Sequence, residues 1–304
     1  IDFKQARKIV KSININPTFT AHPTETKRNS LIDKQRRVLA LIEEFLDGNI
    51  NQKKKQRIRL EILKLCKLIL VTDDVRSRRV SINEEIENVI KNTISSLWHA
   101  VPSLAEDLES SFFHFYGKKI EVHEFLNFQT WVGGDRDGNP NVTFKISEFA
   151  VVTLTNHLIS MYNRDLDLLF DDYSISFRKP KKNCLLHKSI KKDLKQSKIP
   201  NDTINRYEFE PIRLKLLLIK EKLQTYQKCV SQRKKIRFTV KDFQKDLDLI
   251  VSFLKNYSDD DSLTYGDIQK LIIRIKIFGL HFMSLDIRQH SSVHENAVDE
   301  IISF

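Results

Sequence analysis

Glycine and proline are scarce in this sequence. It holds seven of each in 304 residues, about 5% together where roughly 12% is usual. A chain with so little punctuation turns rarely, and long helices follow. Cysteine is scarcer still. Cys66, Cys184 and Cys229 are far apart, odd in number and without C-x-x-C spacing. That argues against a disulfide framework and a cysteine zinc site, and it suits a reducing, cytoplasmic compartment. No uncharged apolar run of about 18 residues occurs, so a membrane-spanning helix is not expected. Ile1-Asp2-Phe3-Lys4-Gln5 carries neither a secretory pattern nor an initial Met, and the sequence stops abruptly at Phe304. The expectation is one piece of a longer chain. Zinc, P-loop and dinucleotide fingerprints are missing. His99, His114, His123, His157 and His187 show no metal-ligand spacing.

What is abundant is positive charge. Lys+Arg 51 against Asp+Glu 40 leaves a net +11. Such a balance suits nucleic acid, an anionic membrane surface or an anionic small substrate. The basic residues are spread over many helical faces, with runs at Lys53–Lys55, Lys181–Lys182 and Arg233–Lys235. No basic ribbon interleaved with aromatics appears. The expectation is an anionic small substrate, with no nucleic acid and no membrane.

Apolar periodicity predicts helices over most of the chain. One covers 26–47, with Leu31, Val38, Leu41, Ile42 and Phe45 on a stripe and Gly48 as its stop. A second covers 52–71. Ser81-Ile82-Asn83-Glu84 reads as a capping box opening a third. Pro102 is expected to start a new helix reaching Phe113. Others are predicted over 145–170, from Pro211 to Gln227, from Thr239 to Tyr257 and from Thr264 to Phe278. The lysine-rich stretch 181–198 reads as a solvated loop.

Three segments break the helical period: Ile13–Thr20, Asn127–Val132 and Leu280–Ile287. Each is short, β-branched or aromatic, and followed at once by His, Asp or Arg. Strands separated by helices imply a parallel sheet or barrel, in which chemistry collects past the C-terminal strand ends. After the first strand lies Thr20-Ala21-His22-Pro23-Thr24-Glu25. A histidine before a helix N-terminus favours anion contact and can exchange a proton near pH 7; it can equally serve only to hold a turn. After the second lies Trp131-Val132-Gly133-Gly134-Asp135-Arg136-Asp137-Gly138-Asn139-Pro140. Its Asp-Arg-Asp run is either a self-neutralising turn or a loop facing an anionic or metal-bound ligand. Trp131 is either core or the apolar wall of a pocket. The third carries Ser284-Leu285-Asp286-Ile287-Arg288-Gln289. Strand alternation puts Asp286 and Arg288 on one face, as a structural ion pair or as a carboxylate fixing an arginine for an anion.

Together these segments resemble the phosphoenolpyruvate carboxylase family of bacteria and plants. The carriers are Thr20 to Glu25, Gly133 to Thr143 and Leu285 to Gln289, in the family's order and approximate spacing. Thr72 to Arg76, Ser96-Leu97-Trp98 and Glu210-Pro211-Ile212-Arg213 add weaker similarity, so the resemblance spans nearly the whole chain. It implies a mainly α-helical fold with a few parallel strands, part of a phosphoenolpyruvate/pyruvate-type (β/α)8 TIM barrel embedded in helices. Residues 1–304 would form a single region of it, since three strands cannot close an eight-stranded barrel.

The implied reaction joins phosphoenolpyruvate and bicarbonate, with Mg²⁺ or Mn²⁺, to give oxaloacetate and phosphate. Bicarbonate attacks the phosphoryl group, carboxyphosphate and the pyruvate enolate form, and the enolate captures the CO₂ released. By resemblance His22 handles the carboxyphosphate proton, Arg288 contacts phosphate and Trp131 lines the CO₂ pocket. Arg136 is an active-site candidate, oriented by Asp135 and Asp137, and Asp286 supports Arg288. The metal ligands are expected beyond Phe304, the working enzyme is expected to be a cytoplasmic homotetramer, and these residues alone are expected to be inactive. The chain departs from the family pattern at His290 and Asp74, where Glu is usual, and at Val80, near an expected Pro. The alternative reading is a truncated, non-catalytic binding or assembly homologue.

Overall fold

A computed structural model describes residues 1–20, 28–46, 50–73, 81–120, 125–137, 139–177, 184–256 and 262–303. Helix α1 (Phe3–Ser12) leads to strand β1 (Thr18–Phe19), followed by α2 (Asn29–Leu46), α3 (Gln52–Leu70) and α4 (Ile82–Tyr116). Strand β2 (Gln129–Thr130) precedes α5 (Phe144–Asp172), α6 (Leu185–Leu194), α7 (Asn201–Arg206), α8 (Pro211–Ser231) and α9 (Val240–Lys255). A 3₁₀ turn over Ser262–Thr264, α10 (Asp267–Phe278), β3 (Ser284–Leu285) and α11 (Ser291–Ile302) complete the order. The chain is mainly helical, with one parallel sheet in the order β1-β2-β3.

Capping chemistry sets many helix starts. Asp2, Ser81 and Thr239 each accept from the third residue of the helix, whose side chain bonds back to the cap N–H, so two orphan donors are satisfied at once. Pro211 occupies the first turn of α8, where its missing N–H costs nothing. The start of α10 differs from the expectation. Thr264 belongs to the preceding 3₁₀ turn, and Gly266, at φ 87°, is the cap.

Two further expectations are corrected. Pro102 does not begin a helix but lies inside the 35-residue α4. An interior proline leaves the carbonyl four residues back, that of Trp98, without its donor. Here Arg274 Nε donates to the Trp98 oxygen at 2.9 Å, so the helix runs on. The stretch 181–198 is not simply a loop: α6 occupies Leu185–Leu194. Its apolar stripe is only Leu186 and Ile190, both buried, too narrow to stand out among the lysines around it.

The core centres on α5, which packs against α4, α8 and α10. Two polar nodes lie in it. In the first, Arg274 pairs with Asp165 at 2.6 Å and its guanidinium lies 4.8 Å from the Trp98 ring. Trp98 Nε1 donates to the other Asp165 oxygen at 3.2 Å. Burial pushes the Asp165 carboxyl upward, with Arg274 and Trp98 pulling against it. Tyr162 donates to the Gly279 carbonyl at 2.8 Å, which ties α5 to the end of α10 just before β3. In the second node, Lys215, with no exposed surface, bonds Asp193 at 2.7 Å, Asp246 at 2.5 Å and Ser189 at 2.8 Å. Lys222 reaches the same two carboxylates at 2.7 Å. Four alternating charges thus bind α6, α8 and α9, and none is left uncompensated.

Burial raises the Asp193 pKa, but hydrogen bonds from Lys215 and Lys222 outweigh it and leave the group below its ordinary 3.8. Burial lowers that of Lys222, but Asp193 and Asp246 carry it above 10.5. A depressed acid stabilises the fold above its unfolded pKa and loses that contribution as pH falls through the folded value. A raised base loses its contribution as pH rises through its own folded value. Denaturant unfolding followed by circular dichroism should therefore show this contribution failing below about pH 3.8 and above about pH 10.5. Lys215→Met should cost about 3–5 kcal/mol at neutral pH, and its acid limb should move to higher pH. At the other node, Arg274→Met should be similarly damaging. Restoring an N–H with Pro102→Ala in that background should recover about 1 kcal/mol; no recovery would show that the freed carbonyl is unimportant.

Candidate active site

The three strands run parallel, so their C-terminal ends meet on one side of the sheet. Backbone bonds extend beyond the short strands themselves. Gln129 N donates to Pro17 O at 2.9 Å and Trp131 N to Phe19 O at 3.1 Å. On the other edge Ser284 N donates to Phe128 O and Asp286 N to Thr130 O, both at 2.9 Å. A regular ladder would next place Arg288 N on Val132 O. It bonds Gly134 O instead, at 3.0 Å, and Arg136 N returns to Arg288 O at 2.9 Å. Two residues are looped out, as in an enlarged bulge, and Trp131 stands at the start of the loop.

The two adjacent glycines serve different needs. Gly133 has φ +83°, and a Cβ there would lie 2.7 Å from the Ala150 Cβ. Gly134 would place a Cβ 2.2 Å from the Asp286 carbonyl oxygen, an approach that no side chain permits. Trp131 O accepts from Gly134 N at 2.8 Å and Asp135 N at 3.0 Å, which closes the turn. The approach to β3 carries its own backbone constraint. Phe282, fully buried against Phe278, has φ 67°, an uncommon value for an aromatic residue.

Six of the seven site residues expected from the sequence are described, and the side chains of four, Trp131, Asp135, Asp286 and Arg288, meet here. Arg288 lies with its guanidinium 4.0 Å from the Trp131 ring centroid. It pairs with Asp135 at 3.5 Å, the two side chains being 42% and 36% exposed. Trp131 Nε1 donates to Asp286 Oδ2 at 3.2 Å. Asp135 therefore faces Arg288 and does not orient Arg136 as expected. Asp137 is exposed, and its backbone N–H donates to Asp135 Oδ1 at 3.3 Å. The Arg136 guanidinium instead donates to Ser147 Oγ at 3.2 Å, and its buried Nε has no hydrogen-bond partner among the described residues. The Asp-Arg-Asp run is thus not a self-neutralising turn. His22 and Gly138 lie outside the described residues, as do Asp74 and Val80.

Sequence reasoning missed Ser147 and Thr130. Ser147 sits on the first turns of α5, four residues after Thr143, whose carbonyl it contacts at 3.4 Å. The only sequence signal was its place just beyond the glycine–aspartate segment. Thr130, 2% exposed, donates to Phe19 O at 3.0 Å and accepts from Val132 N at 3.2 Å, locking β1 to the turn. His290 has a structural part to play: its ring nitrogen caps α11, accepting from Ser292 N at 3.3 Å. Arg213 of the Glu210–Arg213 segment pairs with Glu210 at 3.1 Å and donates to Phe170 O at 2.7 Å, so it holds α8 to the end of α5.

Chemically, the arrangement offers a guanidinium stacked on a partly buried indole at the strand ends. That suits an anionic ligand with an apolar part. Among the described residues no group of three or more His, Cys, Asp or Glu side chains exists that could hold a metal ion. The Mg²⁺ or Mn²⁺ implied by resemblance finds no ligand set among them. Nor is any described helix long and apolar enough to cross a membrane.

Gly134→Ala should force β2 and β3 apart. We expect a loss of about 1–3 kcal/mol in denaturant unfolding, together with faster hydrogen exchange at the Arg136 and Arg288 amides. Unchanged exchange at both would show that the contact relaxes without cost.

A family model described as phosphoenolpyruvate carboxylase matches residues 1–304. Curated relatives of that name include one from Rhodothermus marinus, 28% identical over 296 residues, covering 97% of this chain and 32% of the relative. Another, from Chromobacterium violaceum, is 24% identical over 309 residues, covering 100% and 34%. A third, from Prochlorococcus marinus (strain MIT 9515), is 27% identical over 322 residues, covering 98% and 32%. The chain spans about a third of the length of these relatives.

Proposed function

Because the chain belongs to the phosphoenolpyruvate carboxylase family, we propose that it supplies part of the centre that forms oxaloacetate and phosphate from phosphoenolpyruvate and bicarbonate. In this reading residues 1–304 are one region of a (β/α)8 barrel with its surrounding helices. The working form is a longer chain, assembled as a cytoplasmic homotetramer, and these residues alone are inactive. The observation that carries the reading is the meeting of Trp131, Asp135, Asp286 and Arg288 at the C-terminal ends of three parallel strands, which is where barrels of this type do chemistry.

The residues divide the work on physical grounds. Phosphoryl transfer to bicarbonate gathers negative charge on phosphoryl oxygens and on the departing enolate oxygen. Arg288 presents fixed N–H donors to such oxygens, and donors already in place stabilise charge as it develops. Arg136, whose guanidinium donates to Ser147 Oγ at 3.2 Å, adds a second positive charge to the same loop. Carboxyphosphate then breaks to CO₂ and phosphate, and His22 takes the carboxyl proton. CO₂ is apolar, and the Trp131 ring is the wall that holds it and limits water reaching the enolate. The enolate carbon closes on CO₂, and the new carboxylate completes oxaloacetate.

In the intact enzyme, Arg288→Ala should lower kcat/KM for phosphoenolpyruvate by roughly 100-fold or more. His22→Asn should abolish oxaloacetate formation, read by coupled malate dehydrogenase assay. Wild-type rates from both variants would sink these residue roles, and no oxaloacetate from the intact wild-type enzyme would sink the reading itself. The 304 residues by themselves should give no oxaloacetate above a heat-killed control.

A further inference from the structure

Asp286 and Arg288 stand two residues apart at the end of β3, and the simplest expectation is that they pair. No ion pair joins them among the described residues. The Asp286 carboxylate accepts instead from Trp131 Nε1 at 3.2 Å, and Arg288 stacks on the same indole at 4.0 Å. The ring is therefore gripped on two sides, its N–H edge by a carboxylate and its face by a guanidinium. Among the described residues the other side-chain partner of Arg288 is Asp135, at 3.5 Å. Both of those side chains are more than a third exposed, so water screens the pair and leaves the guanidinium loosely held by it. The stacked ring is the firmer support, provided the ring itself cannot turn.

Asp286 is well placed to prevent that turning. Its N–H is bonded to Thr130 O at 2.9 Å, and its carbonyl lies against Gly134. The carboxylate thus projects from a fixed backbone. A carboxylate on the indole edge also leaves the planar N–H edges of Arg288 to the long Asp135 contact and a ligand. A direct Asp286–Arg288 pair would occupy them and compete with any anionic ligand.

We infer that Asp286 is a positioning residue that acts on Arg288 through the indole of Trp131, holding the guanidinium open towards the anionic substrate. This rests on the carboxylase reading of the same site. The inference is one of orientation and not of charge, so an uncharged acceptor should serve in place of the carboxylate.

The test uses the intact enzyme. Asp286→Leu should lower kcat/KM for phosphoenolpyruvate about tenfold or more through lost alignment. It should also shift the Trp131 emission, read as the difference from Trp131→Phe. Asp286→Asn, whose amide oxygen still accepts from Nε1, should restore both to within about threefold of wild type. In a Trp131→Phe background, which keeps a ring for stacking but has no N–H, Asp286→Leu should cost nothing more. Thermal unfolding of each variant separates misfolding from misalignment, and the Trp131→Phe arm gives an answer even where Asp286→Leu folds poorly. Asp286→Asn as damaging as Asp286→Leu, or the same loss with and without the indole N–H, would overturn the inference. No oxaloacetate from the intact wild-type enzyme would instead bring down the carboxylase reading, leaving the emission shift to report on the Asp286–Trp131 contact alone.

Discussion

The candidate site depends on one close approach, that of the Gly134 backbone to the Asp286 carbonyl. A hydrogen there lets β2 and β3 resume pairing after two residues have been looped out. That offset brings Asp135 to Arg288 and stands Trp131 at the mouth of the loop, where its edge meets Asp286 and its face meets Arg288. In a regular ladder these groups would be spaced along two strands at the usual rise. Gly133 acts from the other side, because its positive φ and its contact with Ala150 seat the loop on α5.

The helices hold this sheet through polar nodes as well as apolar packing. Trp98, Asp165 and Arg274 join α4, α5 and α10 in one buried network, and Arg274 also takes the carbonyl that Pro102 leaves free. Tyr162 carries the connection to Gly279, at the turn that launches β3. The four-charge node on α6, α8 and α9 follows the same rule. Each buried charge meets opposite charges or hydrogen-bonding groups, so removing one partner harms more than the pair itself contributes.

Much of this was legible from residue order. The capping boxes at Ser81 and Thr239, the proline in the first turn of α8 and the three parallel strand positions all follow from local chemistry. The failures were of another kind. Pro102 reads as a helix start because the donor to the Trp98 carbonyl it leaves free, Arg274, lies 176 residues from Trp98 in sequence. The α6 stripe is two residues wide, and only burial against α8 and α9 reveals it. Within the site, spacing put Asp286 and Arg288 on one face but could not say that the carboxylate would choose an indole. Nor could it say that Asp135 would turn to Arg288 and leave Arg136 to Ser147.

The amino-acid sequence by itself determined the helical class, the segments that become strands and the cluster of chemistry-bearing residues that follows them. Period, capping and glycine placement are local, and a chain carries them before it folds. The sequence also carries the family, because those segments keep their order along residues 1–304. Only the tertiary structure decided which acid meets which base. Such pairings depend on a register between strands more than a hundred residues apart, and a shift of two residues in that register redistributes every partner at the site.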